Sequence, residues 1–250
     1  TWTFQAATNL DNDVAQSISF TLKTTDADDD VATDRHTITI NDGPPPTNSG
    51  PITLEVDDDA LPSGTNAASP DEVDSGTITF NAGSDALTVA FGNSVATLGG
   101  GLTWTRVNDT TIEGRDGGNL IVTLSLSGDL SIAAGASGNV TVTATLADNY
   151  DSHPGINVDD LQALGNVLVV GSDQDGDSSS AAVNVSVSDD LPDNDVAGPP
   201  SVVEGQSING TWTAAVGADQ PGHSTVVTFG GTDFALGTPI NTGKGTLTVN

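Results

Sequence analysis

Along most of the chain, apolar and polar positions alternate with a period of two. That is the pattern of a strand with one face buried and the other wetted. In Thr37-Ile38-Thr39-Ile40 the isoleucines face one way and the threonines the other. Ile18, Phe20 and Leu22 follow the same rule, as do Leu120, Val122, Leu124 and Leu126. Val140, Val142, Ala144 and Leu146 form another such run, and Val183, Val185 and Val187 another. The intervening positions are mostly Thr, Ser and Asn, which suit strands with a face in water. Clusters of Gly, Asn, Asp and Pro separate the runs and mark turns. Only residues 158–164 suggest a helical turn. The pattern predicts an all-β chain built of sandwich modules.

An internal repeat divides the chain. Residues 20–43, "FTLKTTDADDDVATDRHTITINDG", align with residues 167–190, "VLVVGSDQDGDSSSAAVNVSVSDD". Both read strand, aspartate-rich loop, strand, acidic end. Asp26, Asp28 and Asp30 match Asp173, Asp175 and Asp177, and Asp42 matches Asp189 without a gap. Residues 1–43 therefore read as the closing half of one sandwich module. Residues 44–190 read as a complete module, entered through the linker "GPPPTNSGP". Residues 191–250 read as the opening half of a third. The tail "GKGTLTVN" reads as the strand before a hairpin and the head "TWTFQAATNLDND" as the strand after it. Two hypotheses follow: the end pieces are complementary halves, pairing within a chain or head to tail between chains, or the sequence is a window on a longer array.

Composition changes this picture in one respect. The 250 residues hold 5 Lys plus Arg against 34 Asp plus Glu, a formal net charge of −29. Such a chain repels a phosphate backbone, so nucleic acid is excluded as a partner. The absence of cysteine excludes disulfides, a cysteine nucleophile and thiolate metal sites. No apolar run is long enough to span a membrane, and residues 1–20 lack the basic start and apolar block of a secretory leader. Hydrophobic residues make up 35% and aromatics 4%, and low hydrophobicity with high net charge is the mark of disorder. The strand periodicity opposes that reading. A β protein that folds once cations neutralise its carboxylates satisfies both facts.

The aspartates are clustered in predicted loops and strand ends: residues 11–13, 26–30, 57–59, 148–151, 159–160, 173–177 and 189–195. Several carboxylates in one turn repel each other, and almost no lysine is present to offset that. Calcium resolves the conflict because it takes six to eight oxygen ligands, carboxylates among them, whereas magnesium resists losing its water. Asp173-Gln-Asp175-Gly-Asp177 resembles the first half of an EF-hand loop, but Ser178 stands where the sixth-position Gly belongs and Asn184 where the twelfth-position Glu belongs. The flanks are strands. The loop reads as a calcium-binding β-hairpin turn.

In a sandwich with its ends at opposite poles, the last hairpin loop lies near the entry point. Asp42, Asp57, Asp58, Asp59, Asp173, Asp175 and Asp177 are thereby expected at the first joint between modules, and Asp189, Asp190, Asp193 and Glu204 at the second. Asp26, Asp28 and Asp30 are the corresponding candidates in the first loop. His36, His153 and His223 are scattered and read as turn or surface residues. No nucleophile elbow accompanies the serines, and Trp2 and Trp104 read as core. No enzymatic activity is expected.

The segments "SDQDGDSSSAAVNVSVSDDLPDN" and "TDADDDVATDRHTITINDG" resemble the Asp-rich closing hairpin of tandem repeats in giant bacterial adhesins secreted by the type I (RTX) route. "EVDDDALPSGTN" resembles the opening of such repeats and "DNYDSHPG" their Asp/His-Pro segment. "GKGTLTVN" and "TWTFQAATNLDN" resemble paired strands of the related cadherin-like repeat. "DADDD" departs from the usual Asp-x-Asp-Gly-Asp by placing Asp29 where Gly is typical. The resemblance implies tandem Ig-like (cadherin-like) β-sandwiches with calcium-binding loops and linkers. It implies a non-enzymatic extender on the bacterial cell surface, outer-membrane-anchored or secreted, serving adhesion and biofilm formation. Its partners would be calcium ions and neighbouring repeats, with a glycan or peptide bound through adjacent modules. The alternative is that this segment itself is a calcium-dependent glycan- or peptide-binding module.

Overall fold

The computed structural model describes residues 1–10, 16–150, 155, 158–219 and 224–250. A hairpin comes first, β1 (Gln16–Thr25) with β2 (Val31–Ile40), and forms its own two-stranded sheet. Eleven strands follow: β3 (Thr47–Asn48), β4 (Ile52–Asp57), β5 (Val73–Asn81), β6 (Leu87–Phe91), β7 (Thr103–Asn108), β8 (Thr111–Asp116), β9 (Asn119–Gly128), β10 (Ser131–Ile132), β11 (Ser137–Leu146), β12 (Leu161–Ser172) and β13 (Ser178–Ser188). They build two sheets, ordered β10-β6-β12-β13-β4 and β3-β5-β11-β9-β8-β7. Three hairpins end the chain: β14 (Asp193–Ala197) with β15 (Thr211–Ala215), β16 (Val226–Phe229) with β17 (Thr232–Ala235), and β18 (Ile240–Asn241) with β19 (Thr246–Leu247). The one helical turn among the described residues is the 3₁₀ segment Asp58–Ala60. Among the described residues no helix is long and apolar enough to cross a membrane.

The two central sheets bury their facing side chains against each other, as alternation demands. Ile78, Phe80, Val140, Val142, Val122 and Leu124 come from one sheet, and Leu54, Val56, Phe91, Val167, Val183 and Val185 from the other. Their Thr, Ser and Asn neighbours line the outer faces. The fold is thus an all-β sandwich, and its strands fall between residues 44 and 190.

Two expectations need correction. Residues 158–164 hold no helix, because Leu161 onward is β12. A bulge between Ala163 and Gly165 breaks the period of two there, so the three-residue spacing of Val158, Leu161 and Leu164 imitates a helical stripe. Trp2 is not core: it is more than half exposed and leans on Phe20 and His36, with ring centroids 5.3 and 4.9 Å away. Trp104, by contrast, lies half-buried over Gly114, whose missing side chain makes room for the indole, and its Nε1–H donates to the Gly99 carbonyl at 2.8 Å.

The two copies of the repeat adopt the same hairpin. Thr25 pairs with Val31 in one and Ser172 with Ser178 in the other. Each loop is closed by one backbone bond of 3.1 Å, from Asp26 N to Asp30 O and from Asp173 N to Asp177 O. The fourth loop residue is left-handed in both, Asp29 at φ 71° and Gly176 at φ 96°. Left-handed backbone is strained for a residue with a Cβ. Asp29→Gly is expected to stabilise the first hairpin and Gly176→Ala to destabilise the second, each by about 1 kcal/mol. Hydrogen exchange of the flanking amides reads both. Among the described residues, no strand of 1–43 pairs with a strand of 191–250 within the chain.

Candidate metal centres at the two poles of the sandwich

The β12–β13 loop lies at one pole of the sandwich. Asp175 of that loop meets Asp42, from the segment leaving β2, and Asp85, from the β5–β6 turn. One carboxylate oxygen of each lies within 4.8 Å of the others. Asp85 is only 4% exposed, and Ser84 Oγ donates to its Oδ2 at 2.7 Å. Oδ1 of Asp173 and Oδ1 of Asp175 are buried with no hydrogen-bond partner among the described residues. Burial, together with the hydrogen bond and negative charge of Asp175, pushes the Asp173 carboxyl up to about 6.

Backbone packing brings the three segments together. Gly43 lies against Ser84 so closely that a Cβ on it would sit 2.3 Å from the serine Cβ. The Gly43 N–H donates to Asp42 Oδ1 at 2.6 Å and Ser84 N to Pro44 O at 3.1 Å. Asn9 adds two bonds to the same turn: its N–H donates to Ser84 O, and its Oδ1 accepts from Ala86 N. In the β1–β2 loop, Asp26, Asp28 and Asp30 also gather within 4.8 Å, but all three are exposed. Hydrogen bonding from the loop holds the Asp26 carboxyl below its usual range. Its Oδ1 accepts from Asp30 N at 2.9 Å.

The opposite pole holds a second concentration of acids. Asp57 ends β4, which runs parallel to β13 with Ser188 opposite Asp57. Asp57, Asp58 and Asp59 therefore lie beside Asp189 and Asp190, a full strand length from Asp175. This corrects their expected place at the first joint. The linker order suggested proximity to Asp42, but β4 carries the chain across the sandwich before the acids occur. Asp58 is 1% exposed, and its Oδ2 accepts from Tyr150 N at 3.2 Å. Burial, reinforced by the charges of Asp219, Asp189 and Asp57, pushes its carboxyl up to about 8. Burial and the charges of Asp59, Asp159 and Asp190 push Asp57 up to about 6. Asp59 Oδ1 and Glu72 Oε2 are buried without a hydrogen-bond partner among the described residues.

Asp190 does different work. It is 6% exposed and its carboxylate accepts from Thr65 N at 3.0 Å, from the Thr65 hydroxyl, and from Ala218 N at 2.8 Å. Ala218 belongs to the last 60 residues yet joins the buried apolar cluster of the sandwich. Asn149 Nδ2 donates to Asp219 Oδ1 at 2.9 Å beside it. Asp190 thus pins the following segment to the pole. Asp193 sits exposed in β14 opposite Ala215, and Glu204 is exposed in a turn. Among the described residues neither belongs to a group of three acids tight enough to share an ion, and the same holds for Asp57, Asp58, Asp59 and Asp189 at this pole. Asp177 contributes its backbone carbonyl to the closing bond of its loop.

Sequence reasoning overlooked Asp85 and Asp219, because each is a single acid outside a cluster. The signal for Asp85 was its position in a Gly-Ser-Asp turn joining two strands, at the pole where the 173–177 loop must also lie. The residues at 11–13, 151, His153 and His223 lie outside the described residues. The two ion pairs among the described residues, Arg106–Asp109 and Arg115–Glu113, involve no acid of either pole. Comparison with protein-family models, with curated proteins and with solved structures finds no match for the chain.

Proposed function

We propose that this chain is a calcium-stiffened structural segment of a bacterial surface adhesin, exported by the type I route. In this reading it holds ligand-binding modules away from the cell and has no catalytic role. One observation carries it: Asp42, Asp85 and Asp175 come from three separate segments and converge within 4.8 Å, with no basic side chain among the described residues paired to any of them. The donors are all oxygen, and orphaned buried oxygens of Asp173 and Asp175 adjoin them. Such a set fits a hard cation that accepts many carboxylate ligands. Calcium would supply the positive charge that lets these carboxylates stay ionised and close together. Asp42 would then tie the segment before the sandwich to its first pole. At the second pole, Asp57, Asp58, Asp59 and Asp189 would act in the same way beside the Asp190–Ala218 contact. Extracellular calcium is millimolar, which matches modules that bind it at about 10⁻⁴ to 10⁻³ M.

Calorimetric titration with calcium tests this reading. The chain is expected to bind calcium, and Asp85→Asn is expected to weaken or remove at least one binding event. The asparagine keeps the shape and the Ser84 contact, so the variant should fold. A chain that takes up no calcium would refute the reading.

A further inference from the structure

We propose that the peptide step Asp42–Gly43 is a site of spontaneous isoaspartate formation, set apart by the fold from the other Asp–Gly steps of the chain. The chemistry needs only these two residues and water. The Gly43 nitrogen attacks Cγ of Asp42; a C–N bond forms, the nitrogen gives up its proton and a carboxyl oxygen leaves as water. The five-membered imide that results takes water back at either carbonyl. Opening at one restores aspartate. Opening at the other routes the main chain through the side chain and leaves isoaspartate of unchanged mass. Glycine in the second position favours the ring, because it has no Cβ to crowd the approach of the backbone.

Two independent features coincide at this step. The sequence has three Asp–Gly steps, 42–43, 116–117 and 175–176. Among the described residues, three aspartates accept a hydrogen bond from the amide of the very next residue: Asp42 from Gly43 at 2.6 Å, Asp74 from Ser75 at 2.7 Å and Asp148 from Asn149 at 3.1 Å. Asp42 alone belongs to both groups. Its attacking nitrogen rests on the carboxyl it must attack, with Cγ one C–O bond further on, and such proximity speeds an intramolecular reaction. Packing holds the step in place, since Gly43 lies against Ser84 and Ser84 N donates to Pro44 O at 3.1 Å. The other two steps lie in hairpin turns. Gly117 and Gly176 are left-handed there, at φ 52° and 96°, with open space around them. Isoaspartate adds a methylene to the main chain and takes one from the side chain. At Asp42 that change falls between β2 and the sandwich, on a carboxylate that meets Asp85 and Asp175. It would draw Asp42 out of that group and part Gly43 from Ser84, so this joint loosens with age. The conversion requires no bound calcium and is independent of the role proposed above.

Ageing the whole chain in warm neutral buffer with chelator tests this, with isoaspartate at each Asp–Gly step measured in its peptides by electron-transfer fragmentation. Asp42–Gly43 should convert several-fold faster than Asp116–Gly117 and Asp175–Gly176. In denaturant the fold no longer distinguishes the steps, so the three rates should come together. Asp42→Glu keeps the charge but cannot close a five-membered ring. It should abolish the signal at this step and leave the other two rates unchanged. Three results would overturn the proposal: a rate at Asp42 in the folded chain no greater than at the other two steps, a signal at this step that persists in the Asp42→Glu variant, or an advantage at Asp42 that survives unfolding. The last would assign the reaction to local sequence rather than to the packing of Gly43.

Discussion

Melted in millimolar calcium, the chain should unfold well above its transition temperature in chelator. The effect follows from linkage, since a ligand that binds only the folded form adds RT ln(1 + [L]/Kd) per site. At one pole carboxylates from distant segments converge, Asp42 with Asp85 and Asp175, and at the other the pairing of β4 with β13 sets Asp57 beside the end of β13. The unfolded chain has no such arrangement, so its affinity is far weaker. A site with calcium at about a hundred times its Kd contributes roughly 2.7 kcal/mol. Two occupied poles contribute about 5 kcal/mol, which is on the order of 10–20 °C for a chain of this length. Differential scanning calorimetry reads the shift directly. Coincident transitions in calcium and chelator would remove the physical basis of the proposed role.

The calcium-free chain should also lose stability as pH rises. Asp58 and Asp57 have folded-state pKa values raised to about 8 and about 6 by burial and neighbouring charge. Between the ordinary carboxylate range and those values, the folded form binds protons that the unfolded form has released. Stability is therefore fully present below the ordinary range. It is lost as pH climbs through about 6 for Asp57 and about 8 for Asp58. For the nearly inaccessible Asp58 the loss is at most on the order of 5 kcal/mol. Denaturant midpoints in chelator should fall steadily across this interval. Asp58→Asn should flatten most of the fall, because the amide carries no charge to bury and its oxygen still accepts from Tyr150 N. Saturating calcium should oppose the trend, since ligand carboxylates must be deprotonated to bind. A midpoint in chelator independent of pH would show that these carboxylates are solvated rather than crowded.

Much of the fold was legible in the residue pattern. Strand periodicity in β9, β11 and β13 announced which side chains would be buried, because a pleated strand sends alternate residues to opposite faces. The aligned aspartates announced two equivalent hairpins, and both close with the same backbone bond. Where the pattern misled, a local irregularity was responsible. The bulge at Leu164 disguised the start of β12 as a helical turn. Trp2 alternates with polar neighbours like a core residue, yet β1–β2 has no second sheet to bury it. The convergence of Asp42 with Asp175 followed from topology alone, since a hairpin loop at the entry pole must face the incoming linker.

Local sequence, then, determined the strands, their faces, the hairpin loops and the excess of crowded carboxylates, because each depends on neighbours within a few residues. Which further acids join Asp42 and Asp175, and which go to the opposite pole, was decided only by tertiary structure. The parallel pairing of β4 with β13 carried Asp57, Asp58 and Asp59 away from Asp42 and set them beside Asp189. The packing of Gly43 on Ser84 drew the isolated Asp85 into the other group. Both outcomes depend on strand pairing and packing between segments far apart in the chain, and no short stretch of residues encodes that.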